Sequence, residues 1–242
     1  MRRRGIKHPT PERRRKMAAR ELCALEIDGA DIMGLFHAVG EKERVFNSQG
    51  REKLGCADET TLEIWVKSGV PLPAKIEVVW HEIFHLITAY AGHRVGEKII
   101  RAITHGFIGF VMANTLFLQR LMDLAEHRLE CLGISKLYVD GLPYEVREIE
   151  EVIWDDSSCC SCVDDSEKFF ALREDMPLAN KLHSLCYALF RLIGIHSGHD
   201  IKKSVTTALS YGFFQVALAN PRLIGHLLDL AKTTEAERLS NS

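Results

Sequence analysis

The chain lacks the signatures that most often name an enzyme. It has no glycine-rich phosphate loop, no serine–histidine–aspartate arrangement and no motif of a nucleic-acid-binding fold. It also lacks a disulfide framework. The seven cysteines (Cys23, Cys56, Cys131, Cys159, Cys160, Cys162 and Cys186) are odd in number and irregular in spacing. Near the start there is no apolar core of a secretory signal, so a reducing cytoplasm is the expected compartment. Long hydrophobic runs are missing too. The most apolar stretch, 99–118, is interrupted by Arg101, His105 and Asn114, which excludes a membrane span and predicts no membrane partner. Cys159-Cys160-Ser161-Cys162 has no second Cys/His pair at zinc-finger spacing, so no metal is expected there.

What is present begins with a charge asymmetry. The formal net charge of −2 conceals nine basic residues against one acid in positions 1–20, so the rest of the chain must be acidic. A solvated, disordered arm over 1–20 is the expectation, and nucleic acid enters as a partner only through that arm.

The rest of the chain is written twice. A shift of 106 residues aligns 56–126 with 162–232 without a gap and matches 19 of 71 positions. Among the matches are Cys56/Cys162, Pro71/Pro177, Lys75/Lys181, Phe84/Phe190, Gly92/Gly198, His93/His199, Gly106/Gly212, Phe107/Phe213 and Asn114/Asn220. Upstream, Ile27-Asp28-Gly29 is paired with Val139-Asp140-Gly141 across a small insertion. Each copy reads as short strands, including 62–66 and 169–172, followed by three helices. In the first copy a proline-rich stretch opens a helix with apolar residues at Ile76, Val79, Ile83, Leu86 and Ile87, closed at Gly92. Further helices are expected over about 96–113 and 116–130. The predicted class is α+β: two tandem units, each a small antiparallel sheet with three helices, packed as a pseudo-twofold pair. The expected organisation is an arm (1–20), a first unit (21–132), a second unit (133–235) and a tail (236–242).

Inside the first long helix stands His81-Glu82-Ile83-Phe84-His85. Histidines four apart share a helix face and can reach one metal, and the adjacent glutamate can take a proton from a water on that metal. The second copy acts as a control. It keeps the scaffold but carries Tyr187, Ala188 and Arg191 where the first has His81, Glu82 and His85. One metal per chain is therefore expected. Catalytic zinc takes three protein ligands. His93 and Asp123 recur in the site-less copy as His199 and Asp229, so both read as structural. Glu97 becomes Lys203 and is the preferred third ligand, ahead of His105 and Glu126.

The segment Gly55-Cys-Ala-Asp-Glu-Thr-Thr-Leu-Glu-Ile-Trp-Val, Pro71 and the run Val78-Val-Trp-His-Glu-Ile-Phe-His-Leu-Ile resemble the small HExxH zincins of phage and bacterial genomes, of the ImmA/IrrE type. That resemblance implies the gluzincin arrangement, in which a glutamate of the next helix, here Glu97, completes the site. It also implies a cytoplasmic setting in a bacterial or phage-infected cell. The expected function is a zinc metallopeptidase acting on a protein or peptide, with Glu82 as general base, Zn²⁺ held by His81, His85 and Glu97, and a non-catalytic second repeat. The alternative is a regulatory or assembly protein with structural zinc.

Overall fold

The computed structural model describes residue 25 and residues 27–154 and 157–240. The expected arm over 1–20 lies outside the described residues. Alternating burial along β1 (Gly29–Ile32) and β6 (Glu63–Lys67) makes each a strand with one face inward. With β2 (Leu35–Lys42) and β5 (Gly55–Asp58) they form a sheet of order β1-β2-β6-β5, beside a small hairpin, β3 (Val45–Phe46) with β4 (Glu52–Lys53). Three helices follow: α1 (Leu72–Tyr90), α2 (Glu97–Ala113) and α3 (Thr115–Ala125).

The second copy repeats this. β7 (Lys136–Val139), β8 (Leu142–Ile149), β11 (Ser161–Asp164) and β12 (Phe169–Arg173) give the order β11-β12-β8-β7. A hairpin of β9 (Val152–Trp154) and β10 (Ser157–Cys159) stands where β3–β4 stands in the first copy. The helices are α4 (Leu178–His196), α5 (Lys203–Ala219) and α6 (Pro221–Ser240). No single helix is long and apolar enough to cross a membrane among the described residues.

The α+β class and the paired units stand, but three details differ from expectation. Each sheet is mixed. Its outer pairs are antiparallel, while the central pairs β2–β6 and β8–β12 run parallel, because the hairpin and β5 (or β11) intervene and return the chain in the same direction. The upstream correspondence also shifts. Asp140-Gly141 turns β7 into β8, and its counterpart is Met33-Gly34, which makes the same turn with φ of 55° and 81°, whereas Gly29 already lies in β1. Finally, α6 runs to Ser240, through most of the expected tail.

The two copies share one core, and its contacts pair off across a pseudo-twofold axis. Phe84 meets its own counterpart Phe190 edge-on with ring centroids 5.5 Å apart, and Phe107 meets Phe213 at 5.1 Å. Gly106 of α2 lies under Ile193 of α4, and Gly212 of α5 lies under Ile87 of α1. A Cβ there would sit 2.6 and 2.3 Å from the isoleucine Cγ2, so only glycine lets these helices approach. At the end of α2 the Asn114 side chain both donates to and accepts from the backbone of Tyr138 in β7, each at 2.7 Å. Asn220, ending α5, grips Asp31 of β1 in the same way at 2.8 Å. Each copy thus fastens the other's first strand.

Candidate metal centre

The motif helix starts at Pro71, whose φ of −58° suits a helix entrance, and stops at Gly92, where φ is +77°. The turn is closed by the His93 N–H on the Thr88 carbonyl at 2.8 Å. The same closure recurs between His199 and Gly194 at 2.9 Å, so the recurrent histidine marks a helix end through its backbone. The back of α1 is sealed by Trp80, Ile83, Phe84 and Ile87, all fully buried, and Phe190 and Phe213 of the second copy press on it. That packing fixes the rotation of the helix. Its other face, with His81, Glu82 and His85, turns to a cleft of about 660 Å³.

After Gly92 the chain doubles back, so the first residue of α2 arrives beside the motif. The Glu97 carboxylate lies 3.1 Å from His85 Nε2 and 3.4 Å from His81 Nε2, and the ligand atoms of all three residues fall within 4.8 Å of one another. Two imidazole nitrogens and one carboxylate suit a zinc-type ion, whose tetrahedral ligands stand about 3.4 Å apart. His105 is exposed on the outer side of α2, and Glu126 pairs with Arg128 beyond α3. Asp123 is bound to Arg120 at 3.3 Å. Of the downstream candidates, Glu97 alone is brought to the histidines among the described residues.

Electrostatics favour a set of lone pairs facing the cleft. Burial, helped by the neighbouring His85, pulls His81 below the ordinary histidine value and keeps its ring neutral. Burial pushes Glu97 up, but the charge that His81 and His85 carry when protonated, together with Arg101, outweighs it and sets the carboxyl below its ordinary value. The Thr104 hydroxyl donates to the Ile100 carbonyl at 2.8 Å, so toward His81 Nδ1, 3.4 Å away, it can only accept. The proton then sits on Nδ1 and Nε2 is left as the ligand atom. Thr104 did not emerge from the motif. Its hydroxyl recurs as Ser210 in the site-less copy, so the comparison of the copies gave no signal toward a role at the metal.

Glu82 stands apart from the three. Its Oε2 accepts the Ala57 N–H of the edge strand β5 at 3.1 Å, and burial pushes its pKa up to about 7. It is a carboxylate held beside the ligand set by a backbone donor, not a member of it.

Among the described residues the cleft is lined by the first copy alone, between Asn47 and Thr104. The second copy supports the site from behind, through the shared core. Among the described residues Cys159, Cys160 and Cys162 join no group able to hold a metal. His196 lies between Asp140 and Asp165, at 3.0 and 3.2 Å. No protein-family model, curated protein or solved structure matches this chain.

Proposed function

We propose that the first repeat is a zinc-dependent metallopeptidase, akin to the ImmA/IrrE-type zincins, and that the second repeat is its non-catalytic support. The carrying observation is the convergence of His81, His85 and Glu97 on one point, with Glu82 held beside that point by a different partner. When bound, zinc supplies a Lewis acid that polarises the scissile carbonyl and brings the pKa of a water at the site toward neutrality. His81 and His85 offer Nε2, and Glu97 offers a carboxylate oxygen. Thr104 holds the His81 tautomer that leaves Nε2 free. Glu82 takes the proton of the attacking water on its carboxylate and delivers it to the departing amine. The Ala57 N–H fixes one oxygen of Glu82, leaving the other to face the water. A structural zinc would call for a fourth protein ligand, and none joins the three among the described residues, which favours an open catalytic position.

The test is Glu82→Gln. It should retain one zinc per chain while abolishing peptide-bond cleavage in a peptide library read by mass spectrometry. Loss of zinc on this substitution, or undiminished cleavage, contradicts the assigned role.

A further inference from the structure

The second copy keeps a cavity where the first has its metal cleft. It measures about 580 Å³ and lies between α4 and the start of α5. Its lining includes Tyr187, Arg191 and Lys203, which stand at the positions of His81, His85 and Glu97. The fourth reacting position, Glu82, has become Ala188, a small side chain that is almost wholly buried. The exchange is therefore more than a loss. A set of lone-pair donors that suits a cation has become a set of proton donors that suits an anion.

Two features separate this from ordinary surface charge. Arg191 and Lys203, both exposed, line one concave space from different helices, and neither has an ion-pair partner among the described residues. Asp200 lines the same cavity, yet it pairs with neither. Two like charges facing one cavity repel each other, and lysine in a helix's first turn sits at the unfavourable end of the helix dipole. Helix stability therefore does not explain Lys203. In the first copy the same turn carries Glu97, bound to both histidines and to Arg101.

We propose that this cavity of the second copy binds a small oxyanion, a phosphate or carboxylate group, clamped between the Arg191 guanidinium and the Lys203 ammonium with the Tyr187 hydroxyl as a further donor. Guanidinium offers paired N–H groups to such oxygens, and the ammonium adds a point charge. The site needs no metal and is separate from the first copy's cleft.

Calorimetric titration of the full chain with inorganic phosphate, and separately with succinate, at fixed ionic strength tests this. Saturable one-to-one binding is expected, weakened at least tenfold in the double variant Arg191→Gln/Lys203→Gln. A control with two exposed charges removed elsewhere in the same copy, Arg222→Gln/Lys232→Gln, should bind as the parent does. Circular dichroism melts check that all variants fold. Binding of phosphate alone identifies a phosphate site, and binding of succinate identifies a carboxylate site. No saturable binding by either probe overturns the proposal. Binding that persists in the Arg191/Lys203 variant, or falls equally in the control, overturns it as well.

Discussion

Halfway along α1 the first copy presents His81, Glu82 and His85, and halfway along α4 the second presents Tyr187, Ala188 and Arg191. A few residues later both helices end in the same way, through a glycine at positive φ and the same backbone closure. Both keep a lysine buried near the helix start and bound to a glutamate of the parallel strand pair, Lys75 to Glu41 at 2.6 Å and Lys181 to Glu148. Both glycines at the helix crossing and both strand-gripping asparagines are retained. The retained positions named above face the common core or close the backbone, whereas His81, His85 and Glu97 and their replacements Tyr187, Arg191 and Lys203 line cavities. Constraint from packing and constraint from chemistry are thus separated within one chain.

One pair of positions shows how packing can be kept while residues change. His37 of β2 and Tyr90 at the end of α1 are joined by a 2.6 Å hydrogen bond. In the second copy Tyr144 occupies the strand position and His196 the helix position, and they remain joined at 3.1 Å. The partners have exchanged identity and the link between sheet and helix end survives.

The comparison can be broken most severely by separating the copies. A fragment of residues 1–134 would expose Phe84, Phe107 and Ile87 where Phe190, Phe213 and Gly212 now cover them. It should lose its cooperative thermal transition or self-associate through that face. A soluble, monomeric fragment as stable as the whole chain would mean that the copies are independent.

Next in size are the helix crossings. Gly106→Ala and Gly212→Ala should each cost about 1–3 kcal/mol by overpacking against an isoleucine. Gly109→Ala, with open space around its would-be Cβ, should gain about 0.5–1 kcal/mol from helix propensity. Denaturant unfolding reads all three, and equal losses at 106 and 212 are what the pseudo-twofold axis requires.

Asn114→Ala and Asn220→Ala test the reciprocal grip. Each removes two hydrogen bonds to the opposite strand and a third to its own helix, taking the partner from one strand N–H and one strand carbonyl, at about 1–3 kcal/mol. Hydrogen exchange should quicken in the strand of the opposite copy, β7 for Asn114 and β1 for Asn220.

The smallest effect separates the copies by pH. Asp165 is held well below the usual carboxylate range by Lys168 and Tyr144. A depressed carboxylate stabilises the fold above its unfolded pKa of about 3.9, and that contribution disappears as pH falls toward the folded value. The first copy's counterpart of this cluster, His37 with Tyr90, has no carboxylate bonded to it among the described residues. Amide protection in the β7–β8 hairpin should therefore weaken on acidification before that in β1–β2, and Asp165→Asn should remove the difference.

Much of this was legible in the residues. The duplication survives as matched apolar, glycine and asparagine positions, and the helix ends are written by Pro71, Gly92 and Asn114. The exchange of Glu97 for Lys203 singles out Glu97 as the third ligand, and the structure brings it to the histidines. The parallel central pairs were not legible, because alternation along a strand is the same whichever way its neighbour runs. The letters Asp-Gly recur at 28–29, but the turn that corresponds to Asp140-Gly141 is Met33-Gly34, with methionine in the left-handed conformation, which sequence identity does not reveal. The grip of Asn114 and Asn220 on the opposite copy, and the Ala57 N–H on Glu82, join residues far apart in the chain, and no local pattern announces them.

The most direct test of one working site in a two-copy chain is metal stoichiometry. Purified parent protein and the His85→Ala and Arg191→Ala variants would be measured by inductively coupled plasma mass spectrometry after dialysis against zinc. One zinc per chain is predicted for the parent and for Arg191→Ala, and none for His85→Ala. Two equivalents in the parent, or one that survives His85→Ala, would contradict the account.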